Sequence, residues 1–298
     1  MNTDLVFEGG GVKAISYVGV LKALEEKNYK ILRCAGTSAG AIISALIVAG
    51  YNSKELKDIV YNTDFKLFNK NTMVGNIPII GGFISLLVNN GKYDGSVIEQ
   101  WMDTLLKKKG ITKFKDVIVN GKSILKVIVA DITKRKMIIL PDDLPEYGLD
   151  PLEFSIARAV RMSCSIPFYF TPAKLEYSNS ISYIVDGGLL SNFPIWIFDS
   201  DNTNYPTIGI KIKDLDSYTS QGKTGILCFL KDVIDAPINV DPENFVRNKD
   251  KLRILIIDYG AKIKASDFRK IDKYIDPLIK NGYDQTLSFL KVRCRLNS

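Results

Sequence analysis

An α/β fold on a mostly parallel central sheet is predicted by three features of this sequence. Short apolar strand-like runs alternate with segments of helical period along the chain. Two strand-to-helix junctions are rich in glycine, at Gly9-Gly10-Gly11 and at Gly36-Thr37-Ser38-Ala39-Gly40. Between Ala41 and Ala49 only Ser44 is polar, so that helix is apolar on every face and belongs inside the protein.

Taken in order, Leu5-Val6-Phe7 is a short strand running into Gly9-Gly10-Gly11, and the pattern from Val12 to about Glu26 is helical, with Ile15, Val18 and Leu21 on its apolar side. Ile31 to Ala35 is the next strand, and the central helix after it closes on Gly50. Residues 51 to 122 read as helices and loops, with a cap at Asn52-Ser53 and a helix after Asp94 carrying Ile98, Trp101, Met102 and Leu105. Within them, Ile77 to Val88 is strongly apolar yet broken by Pro78 and by Gly81-Gly82; ordinary core and a substrate-facing lid are even readings of it. Ile124 to Ala130 is a continuous strand ending at Asp131, with Met137 to Leu140 as its hairpin partner. Asp150-Pro151 opens a helix that runs to about Arg161, since proline is favoured at the first helical position behind an aspartate cap. Ile181 to Val185 forms a strand ending in Asp186-Gly187-Gly188, and Thr207 to Ile212 and Arg253 to Ile257 form two more, with helices around 224 to 235 and 267 to 291. No linker, repeat or low-complexity tract interrupts the 298 residues, so one domain over 1–298 is the simplest organisation.

The composition excludes several chemistries. The chain contains no histidine, which rules out Ser-His-Asp and Cys-His mechanisms and the usual histidine-bearing metal sites. Its four cysteines, Cys34, Cys164, Cys228 and Cys294, lie too far apart for a C-x-x-C redox motif or a local zinc site, so reduced structural thiols and no metal are expected. The net charge of +7 is spread over many lysines without a nucleic-acid module, so no nucleic-acid partner is expected. The N-terminus has no basic region ahead of an apolar core, and no apolar run approaches the ~20 residues that span a bilayer. Without a Sec signal or a spanning segment, the expected location is cytoplasmic, or outside the cell by a non-classical route, and membrane contact is expected to be peripheral.

Gly36-Thr37-Ser38-Ala39-Gly40 is a G-x-S-x-G sequence set between a strand and a helix. A nucleophile elbow needs that setting and those small flanking residues, because Ser38 would sit on a strained turn with its hydroxyl exposed at the sheet edge. The plainer alternative is a tight turn with a capping serine. Gly9-Gly10-Gly11-Val12-Lys13 also opens a helix, where converging N–H groups and the helix dipole suit an oxyanion or a phosphate. Gly9-x-Gly11-x-x-Ala14 also satisfies the dinucleotide fingerprint, but the second strand ends in Ala35-Gly36-Thr37-Ser38 where an acidic residue would hold the ribose, so no nucleotide cofactor is expected. Lys13 is a candidate to orient an anionic head group, with a surface lysine as the plainer reading.

A serine nucleophile here needs a base other than histidine. Asp131 and Asp186 both end apolar strands, where α/β sites form. Asp186 is favoured, because Gly187 and Gly188 leave room for close approach. Ser220-Gln221-Gly222-Lys223-Thr224-Gly225 mimics fragments of two other motifs, with spacings that fit neither, and reads as a surface turn.

Together, the Gly9 to Lys13 loop, the Gly36 to Gly40 elbow and Asp186-Gly187-Gly188 resemble the patatin-like phospholipases. Ala157 to Pro167, with Phe170 and Pro172, resembles the family segment before the aspartate strand, and Asn192-Phe193-Pro194 the one after it. The resemblance covers about residues 4 to 215, and departs in having Ala14 where many members carry glycine. It implies a three-layer α/β/α domain, no cofactor, a phospholipid or other acyl-lipid substrate, and hydrolysis through a Ser38–Asp186 dyad and an acyl-enzyme. Gly9, Gly10 and Gly11 are implied as the oxyanion hole, with Lys13, Gly36, Gly40, Gly187 and Gly188 as supporting residues. Acyl transfer through the same acyl-enzyme is an alternative, as is non-catalytic binding of a membrane or partner through Ile77 to Val88. No feature of the sequence sets the oligomeric state.

Overall fold

A computed structural model describes residues 1–69, 90–201, 203–213, 248–259, 267 and 271–296. The Ile77 to Val88 segment, the helix expected near 224 to 235 and the Ser220 to Gly225 turn lie outside them.

Five strands run parallel: β1 (Asn2–Phe7), β2 (Lys30–Thr37), β6 (Leu125–Asp131), β11 (Thr207–Ile212) and β12 (Ile254–Ile257). With β7 (Lys136–Leu140), β9 (Ala173–Tyr177) and β10 (Ser180–Asp186) they form an eight-stranded mixed sheet in the order β12-β11-β1-β2-β6-β10-β9, with β7 attached to β6. Three short strands, β3 (Gly91–Tyr93), β4 (Ile118–Val119) and β5 (Lys122–Ser123), and β8 (Phe168–Phe170) form two small ribbons, β3 with β8 and β4 with β5. Successive residues of β1, β6 and β11 are buried. Since neighbours on a strand point to opposite faces, both faces of the sheet are covered by helices.

The central helix, α2 (Ala39–Val48), packs on β1, β2 and β6, as its all-apolar sequence requires. Gly50, at φ 89°, ends it in a conformation that favours glycine. Before it, a 3-10 turn over Gly11–Ile15 leads into α1 (Ser16–Glu26), and after it α3 (Ser53–Asn62) starts on the expected cap, with Asn52 and Glu55 forming a reciprocal capping box. The helix after Asp94 is α4 (Ser96–Lys108).

The helix expected from Asp150-Pro151 begins later. Asp150 accepts from the Leu152 N–H in a local turn, and α5 (Ile156–Ser163) starts behind Ser155, whose hydroxyl accepts from the Arg158 N–H at 3.2 Å. A short helix, α6 (Gly188–Ser191), follows the aspartate strand, and α7 (Ile275–Leu296) ends the described chain. The contact of α1 with α7 depends on two glycines: a Cβ on Gly19 would fall 1.9 Å from the Ile279 carbonyl, and one on Gly282 would fall 2.0 Å from that of Ser16. Two bare backbones therefore let the helices cross closely. Among the described residues, no helix is long and apolar enough to cross a membrane.

Candidate active site

β6 organises the site. Its edge opposite β2 carries β7, which pairs with Val127 to Asp131. The other edge is shared: β2 occupies Leu125 to Ile128, and β10 takes over at Val129, running the other way. Thr37 is in register with Ile128 and Asp186 with Val129, so the C-terminal ends of β2 and β10 meet head to head.

At that junction the chain turns sharply. Ser38 has φ 54° and ψ −124°, a region a non-glycine residue occupies only at a cost. The flanking glycines make the turn sterically feasible: a Cβ on Gly36 would lie 2.2 Å from the Gly40 backbone, and one on Gly40 2.4 Å from the Phe7 carbonyl. The start of α2 thus presses directly on β1 and β2, and Ser38 sits at the positive end of that helix.

The Ser38 hydroxyl lies beside the Asp186 carboxyl, near enough to lower its proton affinity, and that carboxyl accepts from the Gly188 N–H at 2.8 Å. Asp186 is 3% exposed. Burial pushes it up to about 6, against the lowering effect of the nearby Ser38 hydroxyl and of the Gly188 N–H. Gly187 lies against the Ile128 carbonyl, where a Cβ would come within 2.4 Å.

Asp131, the other strand-ending aspartate, is committed elsewhere. It accepts from the Thr133 and Lys134 N–H groups and from the Tyr147 hydroxyl at 2.7 Å. Burial opposes its ionisation, but these bonds and the nearby Ser182 hydroxyl outweigh burial and hold the carboxyl below its usual range. It is a turn-forming cap.

The glycine loop lies across from Ser38. The Gly9 N–H donates to the Asn192 carbonyl at 3.3 Å and so is engaged within the protein. Gly10 and Gly11, by contrast, have no protein acceptor for their N–H groups among the described residues, and Gly11 sits at φ 55°. Behind the loop, Glu8 accepts from the Ile212 N–H and forms a buried ion pair with Lys211 at 3.0 Å. Lys13 is 4% exposed and stands 5.3 Å from the centre of the Tyr259 ring, so it is not a surface lysine.

A cavity of about 110 Å³ opens from Ser38 and Gly11. It follows Ala39, Ile42, Ile43 and Leu46 along one side of α2 and is otherwise walled mainly by apolar residues, among them Trp101 and Phe170. Ala39 to Leu46 spans about two helical turns, or ~10 Å. A hydroxyl beside a buried carboxylate, two backbone donors with no acceptor among the described residues and an apolar channel are the parts that acyl transfer from an ester requires. Cys34 and Cys164 are free and buried, and Cys164 lines the channel beside Ser38. Burial, and then the Asp186 charge, push the Cys164 thiol well above its usual range, which leaves it a poor nucleophile.

Two contacts lie in segments that the resemblance included but gave no role: Ser163, which binds the Ser38 backbone, and Asn192, which binds Gly9. Each lies more than 100 residues along the chain from the residue it binds.

A family model described as patatin-like phospholipase matches residues 5–199. The uncharacterized protein YqhO of Bacillus subtilis is 45% identical over 213 residues, covering 71% of this chain and 72% of that protein. Triacylglycerol lipase ptl3 of Schizosaccharomyces pombe is 25% identical over 209 residues, which is 69% of this chain but 41% of the lipase. Among solved structures, VipD from Legionella pneumophila superposes with a TM-score of 0.57 at 17% identity, over 98% of this chain and 67% of VipD. At that identity the likeness is one of fold.

Proposed function

The chain belongs to the patatin-like phospholipase family, and from that premise we propose that it is a lipid acyl hydrolase in which Ser38 is the nucleophile and Asp186 its base. The Ser38 hydroxyl beside the buried Asp186 carboxyl, on the wall of an apolar channel, carries this reading. Residues 1–298 act as one domain.

In the first step, Asp186 takes the Ser38 proton as the hydroxyl oxygen bonds to the ester carbonyl carbon. The carbonyl electron pair moves onto its oxygen, which the Gly10 and Gly11 N–H groups stabilise. Gly9 supports the loop through Asn192 and need not donate. Collapse of the intermediate breaks the bond to the alcohol, which leaves with the proton held by Asp186. Water, deprotonated by Asp186, then attacks the acyl-serine; the bond to the Ser38 oxygen breaks, Asp186 returns its proton to that oxygen, and the fatty acid is freed. The channel holds the acyl chain, and an apolar chain there keeps bulk water from the ester. Substrate enters from a lipid surface that the protein touches peripherally.

Release of free fatty acid from mixed phospholipid vesicles tests the reading, with wild type compared with Ser38→Ala, in the presence and absence of a lysolipid acceptor. Fatty acid from the wild type alone supports hydrolysis. Transfer to the acceptor in place of release makes the protein an acyltransferase, and no turnover of either kind by folded wild type contradicts the proposal.

A further inference from the structure

The end of α5 touches both members of the Ser38–Asp186 pair. Ser163, the last residue of that helix, is fully buried, and its hydroxyl accepts from the Ser38 backbone N–H at 2.8 Å. The same hydroxyl donates to the Ile128 carbonyl at 2.6 Å. One side chain therefore stands between the turn and β6, at the point where β2 leaves the sheet. It joins Ser38 N–H to Ile128 C=O through an oxygen, where a strand continuing in register would bond to β6 directly.

Two residues on, the Ser165 carbonyl accepts from the Asp186 N–H at 2.9 Å. Ser165 is itself fixed. Its hydroxyl donates to the Arg161 carbonyl at 2.9 Å and accepts from the Arg161 guanidinium at 3.0 Å, and that guanidinium also donates to the Thr171 carbonyl at 2.9 Å. Arg161, Ser163 and Ser165 are each at most 9% exposed. Ser38 is thus held by a side chain, and Asp186 by a backbone carbonyl, of one three-residue segment.

We propose that Ser163 is a positioning residue for the nucleophile. By taking up the Ser38 N–H outside the strand ladder, it stabilises the φ 54° turn and sets the Ser38 hydroxyl at its distance from Asp186. The Ser38 hydroxyl must make its reactive approach from this turn, and a displacement of ~1 Å can cost ~10²-fold in rate. Without Ser163, two buried backbone groups lose their partner, and the turn can relax toward the ladder.

This inference rests on Ser38 being the nucleophile, and the test separates the two claims. Ser38 is labelled with a fluorophosphonate, and hydrolysis of a short, water-soluble ester is followed in parallel. The variants are Ser163→Ala, Ser163→Thr, which keeps the hydroxyl, and Leu24→Ala, a core truncation near the far end of α1. Folding is checked by near-ultraviolet circular dichroism and thermal melting. The expected result is a loss of ~10²-fold in labelling rate and in kcat for folded Ser163→Ala, with KM and the midpoint of the pH profile unchanged. Ser163→Thr recovers much of the rate, and Leu24→Ala melts lower but labels normally. If Ser163→Ala does not fold, Ser163→Cys, with similar volume but a weak sulfur acceptor, is expected to show the same loss. A folded Ser163→Ala or Ser163→Cys that labels at the wild-type rate, or a loss no greater than that of Leu24→Ala, overturns the positioning role. Wild type that does not label at Ser38 overturns the dyad itself, and the inference with it.

Discussion

Ser38 and Asp186 reach one another from opposite directions along a single edge of β6, the first following Thr37 opposite Ile128 and the second lying opposite Val129. A parallel strand and an antiparallel strand end against each other there, so the backbone brings the two side chains together without an intervening loop. The Asp186 carboxyl is buried by the same arrangement, and its burial sets its proton affinity.

That burial fixes the pH dependence of the reaction. A base must be ionised to accept a proton, and Asp186 is pushed up to about 6. The rate of ester hydrolysis is expected to rise with pH through a midpoint near 6 and to level off above it. In Asp186→Asn the residual rate should be too small to show this midpoint. Stopped-assay profiles of kcat/KM from acid to neutral pH check both expectations.

Burial also makes Asp186 costly to the fold. Its folded-state value lies above the unfolded one, so stability is greatest below the unfolded value of ~3.9 and falls as pH rises through the folded one. The cost at neutral pH is about 3 kcal/mol as an upper figure. Asp186→Asn is therefore expected to be more stable than wild type at pH 7 and no more stable below about pH 4. Denaturant unfolding at the two pH values measures the difference.

The glycine loop gives a third expectation. A Cβ on Gly10 would fall 2.7 Å from the Ile212 side chain, so Gly10→Val must shift the loop. Loss of an oxyanion donor typically lowers kcat by ~10²- to 10³-fold. Gly10→Val is expected to lose activity on that scale while binding substrate nearly as well, which steady-state kinetics resolves as a fall in kcat with little change in KM.

The channel predicts a dependence on chain length. Ile42 lines it about one turn along α2. Ile42→Trp fills the channel, so hydrolysis of long-chain esters should fall by at least ~10-fold in kcat/KM while acetate esters are spared. A series of p-nitrophenyl esters of increasing length reads this directly.

The crossing of α1 and α7 predicts an effect on stability alone. Gly19→Val places a side chain where the Ile279 carbonyl lies 1.9 Å from the Cβ position. Overpacking against a backbone that cannot give way is expected to cost about 3 kcal/mol or more, seen as a lower melting temperature.

Much of this architecture was legible in the sequence where a local pattern had a single physical solution. Thr207 to Ile212 reads as a strand because Ile208, Ile210 and Ile212 recur at every second residue. Gly36-Thr37-Ser38-Ala39-Gly40 marked a turn between strand and helix because both glycines are sterically required. The two aspartates ending strands could be ranked by the glycines after Asp186, and Asp131 is indeed spent on its own turn. What was not legible depends on residues distant in sequence. Asp150-Pro151 carries every local sign of a helix start, yet the Asp150 side chain closes a turn and Ser155 caps the helix. The burial of Lys13, the bridge from Ser163 to Ser38, and the facing of Gly19 by α7 are contacts between distant segments, and no periodicity encodes them.

The most direct test of the account is the mass of the enzyme during turnover. Wild-type protein mixed rapidly with phospholipid and quenched in acid is predicted to carry one acyl group, mapped by peptide mass spectrometry to Ser38 and absent from Ser38→Ala. Fatty acid release with Ser38 unmodified, or an acyl group on another residue, would contradict the acyl-enzyme and the dyad that forms it.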